Sequence, residues 1–189
     1  MWENRKRLDS GNDCLVSVDG VDFQIAEPFP YEKVWSRRWF SSKFKGPGLR
    51  YELAICIITG DIVWANGPFP PGLFSDYKIF MECGLKDMLE DKERVEADDG
   101  YVGADPKFAK TRSAAWHPQS GAGTRNTVMA RQETANNQLK KFGTLNQIFR
   151  HKIEKHLDVF MAVVVLVQLS IDYGERLFDI DGYNDTAWI

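Results

Sequence analysis

The segment CLVSVDGVDFQI, residues 14–25, limits the fold more than any other part of the chain. It has the length of a β-strand, and apolar residues occupy both of its faces up to Asp19. A strand that is apolar on both faces is covered on both faces, as in sheets flanked by helices. We therefore expect an α/β protein in which this strand is central.

Two later segments are expected to complete the sheet. YELAICIITGDIVWANG (51–67) predicts a hairpin with its turn at 59–61, and RVEAD (94–98) predicts a short fourth strand. PFPPG (68–72) is expected to lie outside the strands, because proline cannot donate to a strand ladder. The order predicts a mixed sheet: an antiparallel meander of three strands plus a fourth, parallel strand.

Three segments predict helices that flank this sheet. Their expected ranges are 73–91, about 124–142 and about 147–173. Ser75 or Asp76 is expected to cap the first helix, and Gly143 to end the second. Residues 102–123 are rich in Gly, Pro, Ala and Ser, so we expect an irregular connection there.

The composition predicts one soluble domain. The chain has 189 residues, of which 43% are hydrophobic and 27% charged, the proportions of an ordinary globular protein. The apolar run FMAVVVLVQL (160–169) has about half the length of a membrane span, and the first residues do not form a secretory signal. The three cysteines lack zinc-binding spacing; Cys14 and Cys56 predict buried thiols in a reducing compartment. We expect an intracellular protein with no membrane partner.

Charge is strongly segregated along the chain, although the net charge is only −3. Residues 107–155 contain ten basic and two acidic side chains, whereas residues 76–105 contain ten acidic and four basic ones. A second basic segment, 33–50, also carries several aromatic residues. Each run alone is more often a solvated surface. Together, a basic stripe beside an acidic cluster is typical of a metal-dependent enzyme that acts on nucleic acid.

Three acidic residues occupy positions from which they could meet. Asp19 lies on the first strand, Asp98 ends the fourth, and Glu133 lies on the second helix, about 200° around from the apolar Ala135. Three nearby carboxylates repel one another unless cations neutralise them, so a shared site predicts Mg²⁺ or Mn²⁺. The simpler alternatives are a turn aspartate at each strand end and a solvated glutamate on the helix.

Three segments carry a resemblance to a known family: 43–80, VEADDGY (95–101) and ARQETANNQLKKFGTLNQIFRH (130–151). Their order and spacing resemble the catalytic domain of the Harbinger/PIF-type transposases, over about residues 14–178. These transposases belong to the DDE superfamily of endonucleases, so the resemblance implies an RNase H-like fold. It also implies cut-and-paste transposition of DNA in the nucleus.

The family's acidic residues carry over to the same three positions. Asp19 matches the first aspartate, Asp98 the second, in EADDGY, and Glu133 the glutamate, followed by the family's Leu139 and Lys140. The separation of the last two acids, 133 − 98 = 35 positions, lies within the range of such transposases. The resemblance thus implies that Asp19, Asp98 and Glu133 are catalytic and hold two Mg²⁺ (or Mn²⁺) ions.

Two positions depart from the family pattern. Asp99 stands in a variable position where relatives more often carry Lys or Ser, and its charge lies beside the expected metal site. Met129 stands where many relatives have an arginine, for which Arg131 or Arg125 could substitute. The family also has an aspartate at Asp76, which we interpret mainly as a helix cap and alternatively as a residue near the metals.

The expected partners are transposon ends and target DNA, a Myb-like accessory DNA-binding protein, and a second copy of the chain. Tryptophans at 35, 39 and 64 could stack on bases, although core packing is the simpler role for each. Five basic residues are the expected contacts to DNA phosphates. They are Lys43, Lys45, Arg50, Lys140 and Lys141.

Three ranges summarise the expected organisation: an N-terminal basic extension (1–12), the catalytic domain (13–178) and a C-terminal tail (179–189). No helix-turn-helix segment precedes the first strand, so we expect weak, salt-dependent DNA binding. Two alternatives stay open. The chain is an inactive or co-opted transposase-derived DNA-binding or interaction protein, or an RNase H-like nuclease that acts on another nucleic acid.

Overall fold

The computed structural model describes residues 1–6, 12–26, 28, 37–111, 122–175, 177, 179–180 and 183. The strands are β1 (Cys14–Gln24), β2 (Phe40–Ser41), β3 (Gly46–Cys56), β4 (Ile62–Phe69), β5 (Arg94–Ala97) and β6 (Ala109–Lys110). The α-helices are α1 (Asp76–Glu82), α2 (Leu85–Met88), α3 (Ala122–Lys140), α4 (Gly143–Asn146) and α5 (His156–Asp172). Short 3₁₀ turns occur at Trp2–Lys6, Asp99–Tyr101 and Ile153–Lys155.

The six strands form one mixed sheet in the order β2-β3-β1-β5-β6, with β4 paired to β3. Strands β1, β3 and β4 pair antiparallel, whereas β5 is parallel to β1 and β6 is parallel to β5. The predicted α/β class, antiparallel meander and parallel fourth strand are therefore confirmed. Strand β1 lies between β3 and β5, as its two apolar faces predicted.

Alternation along β1 sends neighbouring side chains to opposite faces of the sheet. Ser17 and Asp19 face α3, where they contact Gln132 and Asn136. Gly20 faces the opposite side, against the N-terminus of α1. Each face has its own apolar core, one including Leu139 of α3 and Phe160 of α5, the other including Phe80 of α1. The strand that carries Asp19 is thus fixed from both sides.

Several predicted element boundaries are wrong. The helix expected at 73–91 is two helices, because Gly84 adopts a φ of 115° between α1 and α2. Gly143 begins α4 rather than ending the preceding helix, which already stops at Lys140. The last helix starts at His156, not near residue 147.

The connector PFPPG was also misplaced in part, because β4 continues through Pro68 to Phe69. Strand β4 pairs only with β3 among the described strands, so its other side has no ladder for proline to interrupt. The expected irregular connection 102–123 contains the two-residue strand β6 and the beginning of α3, while residues 112–121 lie outside the described part of the chain.

The first residues of the expected basic extension pack against the domain. Arg5 is buried and donates from Nε to Glu93 at 2.7 Å, and Trp2 meets Trp64 edge-on. The predicted burial of Cys14 and Cys56 is confirmed. Across the described residues, the structure contains no helix of the length and apolarity that a membrane crossing requires.

Candidate metal centre

Asp19 is held in place by two hydrogen bonds. Its Oδ1 accepts from the backbone N–H of Gly20 at 2.7 Å, and its Oδ2 accepts from Asn136 Nδ2 on α3 at 2.6 Å. Burial raises the pKa of Asp19 to about 6; the positive charge of Lys43 opposes the shift, and the negative charge of Asp98 adds to it. The carboxylate therefore lies in an environment that disfavours its negative charge unless a cation is near.

Asp98 follows β5 directly and lies beside Asp19. Val18 pairs with Ala97 in the parallel ladder, so the two aspartates are the next residues along neighbouring strands. Asp98 Oδ1 accepts from the N–H of Gly100 at 2.8 Å and caps the 3₁₀ turn Asp99–Tyr101. The turn that the simpler alternative predicted is thus present, and the same residue is exposed at the edge of the candidate site.

Glu133 projects from α3 toward solvent. Ala135 and Leu139 on the same helix are buried, which confirms that Glu133 points away from the apolar side of the helix. The preceding residue, Gln132, locks the helix to the sheet, because its side chain accepts from Ser17 Oγ at 2.7 Å and donates to the Leu53 carbonyl at 3.1 Å. Position 133 therefore has a fixed backbone and a free side chain.

All three predicted acids line one cleft of about 350 Å³ between β1, the turn after β5 and α3. Its other lining residues are Gly20, Val21, Lys43, Met129, Asn136, Asn137 and Lys140. Among the described residues, no three His, Cys, Asp or Glu side chains approach closely enough to hold one metal ion. The acids thus share the cleft without converging on one point.

Asp76 lies closer to this cleft than its expected role as a cap implied. The cap of α1 is Ser75, whose Oγ accepts from the backbone N–H of Lys78 at 3.2 Å. Asp76 instead fills the space above two glycines: a Cβ on Gly20 would lie 1.7 Å from Asp76 Oδ1, and a Cβ on Gly100 would lie 3.1 Å from its Oδ2. Gly20 follows Asp19 directly, and Gly100 lies two residues after Asp98. Both glycines leave room for the Asp76 carboxylate, a pattern that is visible in the sequence but was not interpreted there.

The five predicted phosphate contacts separate into three groups. Lys43 and Lys140 line the cleft, and Lys43 Nζ donates to the Gly20 carbonyl. Lys45 and Lys141 are exposed outside it. Arg50 differs from all of these, as it is only 6% exposed.

The guanidinium of Arg50 is occupied by acids within the protein. It donates to both oxygens of Asp22, at 2.7 and 3.0 Å, and its Nη1 lies 3.3 Å from Asp76 Oδ1. Arg50 therefore links β1, β3 and α1, and its head group is not available for a DNA phosphate. This is a correction to the expected set of phosphate contacts.

A second correction concerns position 129, where many of the transposases that the chain resembles carry an arginine and Arg131 was expected as a substitute. Met129 lines the cleft, but Arg131 is buried and its Nη1 donates to the Ile57 carbonyl at 2.6 Å. Arg131 thus does not replace an arginine at position 129. The side chain of Arg125 lies outside the described part of the structure.

The aromatic and histidine residues have structural contacts. Trp64 donates from Nε1 to Glu52 at 3.0 Å and Trp39 packs against the core, so core packing is the better description of both. Trp35 lies outside the described residues. His156 is buried and hydrogen-bonded to the Tyr51 hydroxyl at 2.7 Å.

The side chains of the cleft fit a hard divalent cation. Its polar lining offers carboxylate and amide oxygens and no thiolate or imidazole ligand. The sulfur of Met129 is a soft thioether, which hard divalent cations do not favour. Asn136 Oδ1 is buried and has no hydrogen-bond partner among the described residues. The negative charges of Asp98 and Asp76 both act on Asp19, which a bound cation would relieve.

Comparison with known families identifies the superfamily of the chain. The family model for the DDE superfamily endonuclease matches residues 18–168, a range that contains Asp19, Asp98 and Glu133. No curated protein and no solved structure matches the chain. The match covers most of the sequence and the whole sheet beyond the first strand's N-terminal end. This chain therefore belongs to the DDE superfamily endonucleases.

Proposed function

We propose that the protein is a metal-dependent endonuclease and strand transferase that acts on DNA phosphodiester bonds, of the Harbinger/PIF transposase type. The observation that carries this proposal is the shared cleft, in which Asp19, Asp98 and Glu133 stand beside Lys43 and Lys140. The order of the sheet, an antiparallel meander with parallel strands added beside β1, supports an RNase H-like arrangement.

In this proposal each acid approaches the cation from a different element. Asp19 and Asp98 hold it from neighbouring strands, and Glu133, whose side chain is exposed, reaches it from α3 by a change of rotamer. The divalent ions, Mg²⁺ or Mn²⁺, when bound, lower the pKa of an attacking water and stabilise the leaving 3′-oxygen.

The lysines position the DNA. Lys43 and Lys140 in the cleft contact phosphates next to the scissile bond, and the exposed Lys45 and Lys141 contact phosphates further along the strand. Such contacts orient the backbone and carry no base sequence, so recognition of transposon ends requires another element. A Myb-like accessory protein, a second copy of the chain and a nuclear location complete the proposal.

Two observations favour the alternative, an inactive or co-opted DNA-binding protein. In the described part of the chain the three acids line the cleft without meeting at a single point. The additional charge of Asp99, exposed next to Asp98, also opposes the approach of a phosphate. An assay of cleavage separates the two functions.

The test is nicking of a supercoiled plasmid in Mn²⁺ or Mg²⁺ by the wild type, Asp98→Asn and Glu133→Gln. Matched controls are Asp87→Asn and Glu82→Gln, which neutralise exposed acids on α2 and α1 outside the cleft. We expect each cleft variant to lose at least about 100-fold in nicking rate, because each removes a ligand worth several kcal/mol in the transition state. The controls should keep the wild-type rate.

Two results would contradict the enzyme. Wild-type protein that binds plasmid DNA but nicks it no faster than buffer would favour the co-opted DNA-binding protein. Nicking that persists in both cleft variants would show that the metal ligands lie elsewhere.

A further inference from the structure

Asn136 occupies an unusual position in the cleft. It lies on α3, only 6% exposed, and its Nδ2 donates to Asp19 Oδ2 at 2.6 Å. The other polar atom of the same amide, Oδ1, is buried and has no hydrogen-bond partner among the described residues. One side chain thus combines a short hydrogen bond to a proposed metal ligand with an unused acceptor.

The orientation of this amide follows from the chemistry of its partner. An ionised carboxylate only accepts hydrogen bonds, so the Asn136 NH₂ group must face Asp19 and the oxygen must point elsewhere. A buried carbonyl oxygen without a donor is unfavourable, and such groups in native proteins are normally satisfied by water, an ion or a ligand. Asn136 lines the cleft, so a small local shift of the cleft wall would bring this buried oxygen within reach of a molecule bound there.

A neighbouring amide shows what a purely structural role looks like. Gln132 is one helical turn earlier on α3 and is fully buried. Both of its polar atoms are paired, Oε1 with Ser17 and Nε2 with the Leu53 carbonyl. It does not line the cleft. Asn136 differs from Gln132 in both respects, which points away from a simple link between helix and sheet.

We propose that Asn136 is a positioning residue of the metal centre: its Nδ2 fixes Asp19, and its Oδ1 accepts a hydrogen bond from a water bound to the cation. Magnesium keeps several waters in protein sites, and such waters need acceptors. Partners of this kind orient the ligands, and their loss typically weakens metal affinity by about 10–100-fold. The inference rests on the proposed function, since it requires a cation at Asp19.

The experiment is calorimetric titration of the full chain with Mn²⁺, comparing the wild type with Asn136→Ala, Gln132→Ala and Asn146→Ala. We expect Asn136→Ala to bind Mn²⁺ about 10–100-fold more weakly. Gln132→Ala should lose stability but keep the Mn²⁺ affinity of the folded protein. Asn146→Ala changes an exposed residue of α4 outside the cleft and should change neither property.

A second variant, Asn136→Asp, keeps the test valid if the alanine variant does not fold. Aspartate retains an oxygen acceptor but places a second negative charge against Asp19, so the metal-free variant should have a lower melting temperature than the wild type. Added Mn²⁺ should restore it, because the cation neutralises both charges. A recovery larger than that of the wild type requires the cation to bind beside residue 136.

The outcomes separate this inference from the proposed function. A wild-type protein that binds no Mn²⁺ overturns both. Mn²⁺ binding of equal affinity in the wild type and Asn136→Ala overturns the role of Asn136 alone, as does an Asn136→Asp variant whose melting temperature Mn²⁺ does not raise more than that of the wild type.

Discussion

Gly20 lacks a side chain at a position where a carboxylate already fills the space. Asp76 Oδ1 lies 1.7 Å from the point that a Cβ on Gly20 would occupy. Asp76 cannot simply withdraw, because Arg50 holds it at 3.3 Å and Gly100 lies on its other side. The backbone at residue 20 is not in the left-handed region, so the requirement for glycine is one of space.

Replacing Gly20 by alanine should therefore destabilise the protein by about 1–3 kcal/mol, the usual cost of forcing extra volume into a packed site. The matched control is Gly46→Ala on β3, where the nearest atom to the added Cβ lies at 3.8 Å. Urea unfolding of both variants measures the difference. Equal stability of Gly20→Ala and Gly46→Ala would mean that Asp76 does not occupy the position described.

The sequence indicated which acids line the cleft but not what holds them. Asp19, Asp98 and Glu133 were identifiable because Asp19 lies on a strand, Asp98 follows one, Glu133 lies on the solvent face of a helix, and their order resembles the family pattern. The roles of Asn136 and Arg50 depend on partners 117 and 28 residues away along the chain. A single sequence does not reveal which residues so far apart will pair. Arg50 was therefore expected to be an exposed phosphate contact, whereas in the structure it forms a buried ion pair with Asp22.

At the scale of elements, the first turn of α1 places Asp76 over the sheet. Ser75 caps this helix by accepting the N–H of Lys78. The helix has only seven residues, so the cap is a large part of what fixes its start. The position of Asp76 therefore depends on a hydroxyl group at residue 75.

Substitution Ser75→Ala should lower the free energy of unfolding by about 1 kcal/mol, because one backbone N–H of α1 loses its acceptor. Ser75→Asp retains an acceptor and should remain close to the wild type. Urea denaturation of the three proteins makes the comparison. A Ser75→Asp variant as unstable as Ser75→Ala would show that the cap is not the source of the loss.

The strands and helices were predicted well where the apolar pattern is long. They were predicted poorly where one backbone angle determines where a helix ends. Eleven residues of β1 and nineteen of α3 carry enough alternation or helical spacing to be recognised. The break at Gly84 requires a positive φ that the chain reveals only once folded. Pro68 continues β4 because that strand is an edge, which depends on the whole sheet.

Across the whole molecule, the α5 side of the core contains an ionisable group. His156 is packed against Tyr51, Phe23 and Phe149, and its Nδ1 shares a hydrogen bond with the Tyr51 hydroxyl. Burial lowers the pKa of His156 to about 4 from its ordinary value of 6.5. The folded protein therefore resists protonation of this ring, whereas the unfolded chain does not.

The sign of the pH effect follows. Between pH 6.5 and 4 the unfolded chain binds a proton at this residue that the folded protein does not, so the stability due to neutral His156 is complete above pH 6.5 and is lost as the pH falls to 4. The loss should be about 3 kcal/mol. Urea unfolding of the wild type and His156→Gln across this range measures it.

The variant His156→Gln is the control for every other titrating group, because the protonation of acids such as Glu52 changes with pH equally in both proteins. Glutamine can still accept the hydrogen bond from Tyr51. We expect the stability of the wild type relative to His156→Gln to fall as the pH is lowered. A difference that stays constant with pH would mean that the ring is not buried in its neutral form.

The pairing of Val18 with Ala97 sets the two aspartates side by side through local contacts between β1 and β5. The long stretch of chain between these strands places Lys43 and Asp76 around the two aspartates, but the ladder between β1 and β5 sets how far apart the aspartates lie. Surface turns within it, such as the exposed residues 91 and 92, can lengthen or shorten without altering the spacing of the two aspartates. Homologous chains are thus free to diverge in length here, and the interval between the two aspartates in sequence is a poor guide to kinship.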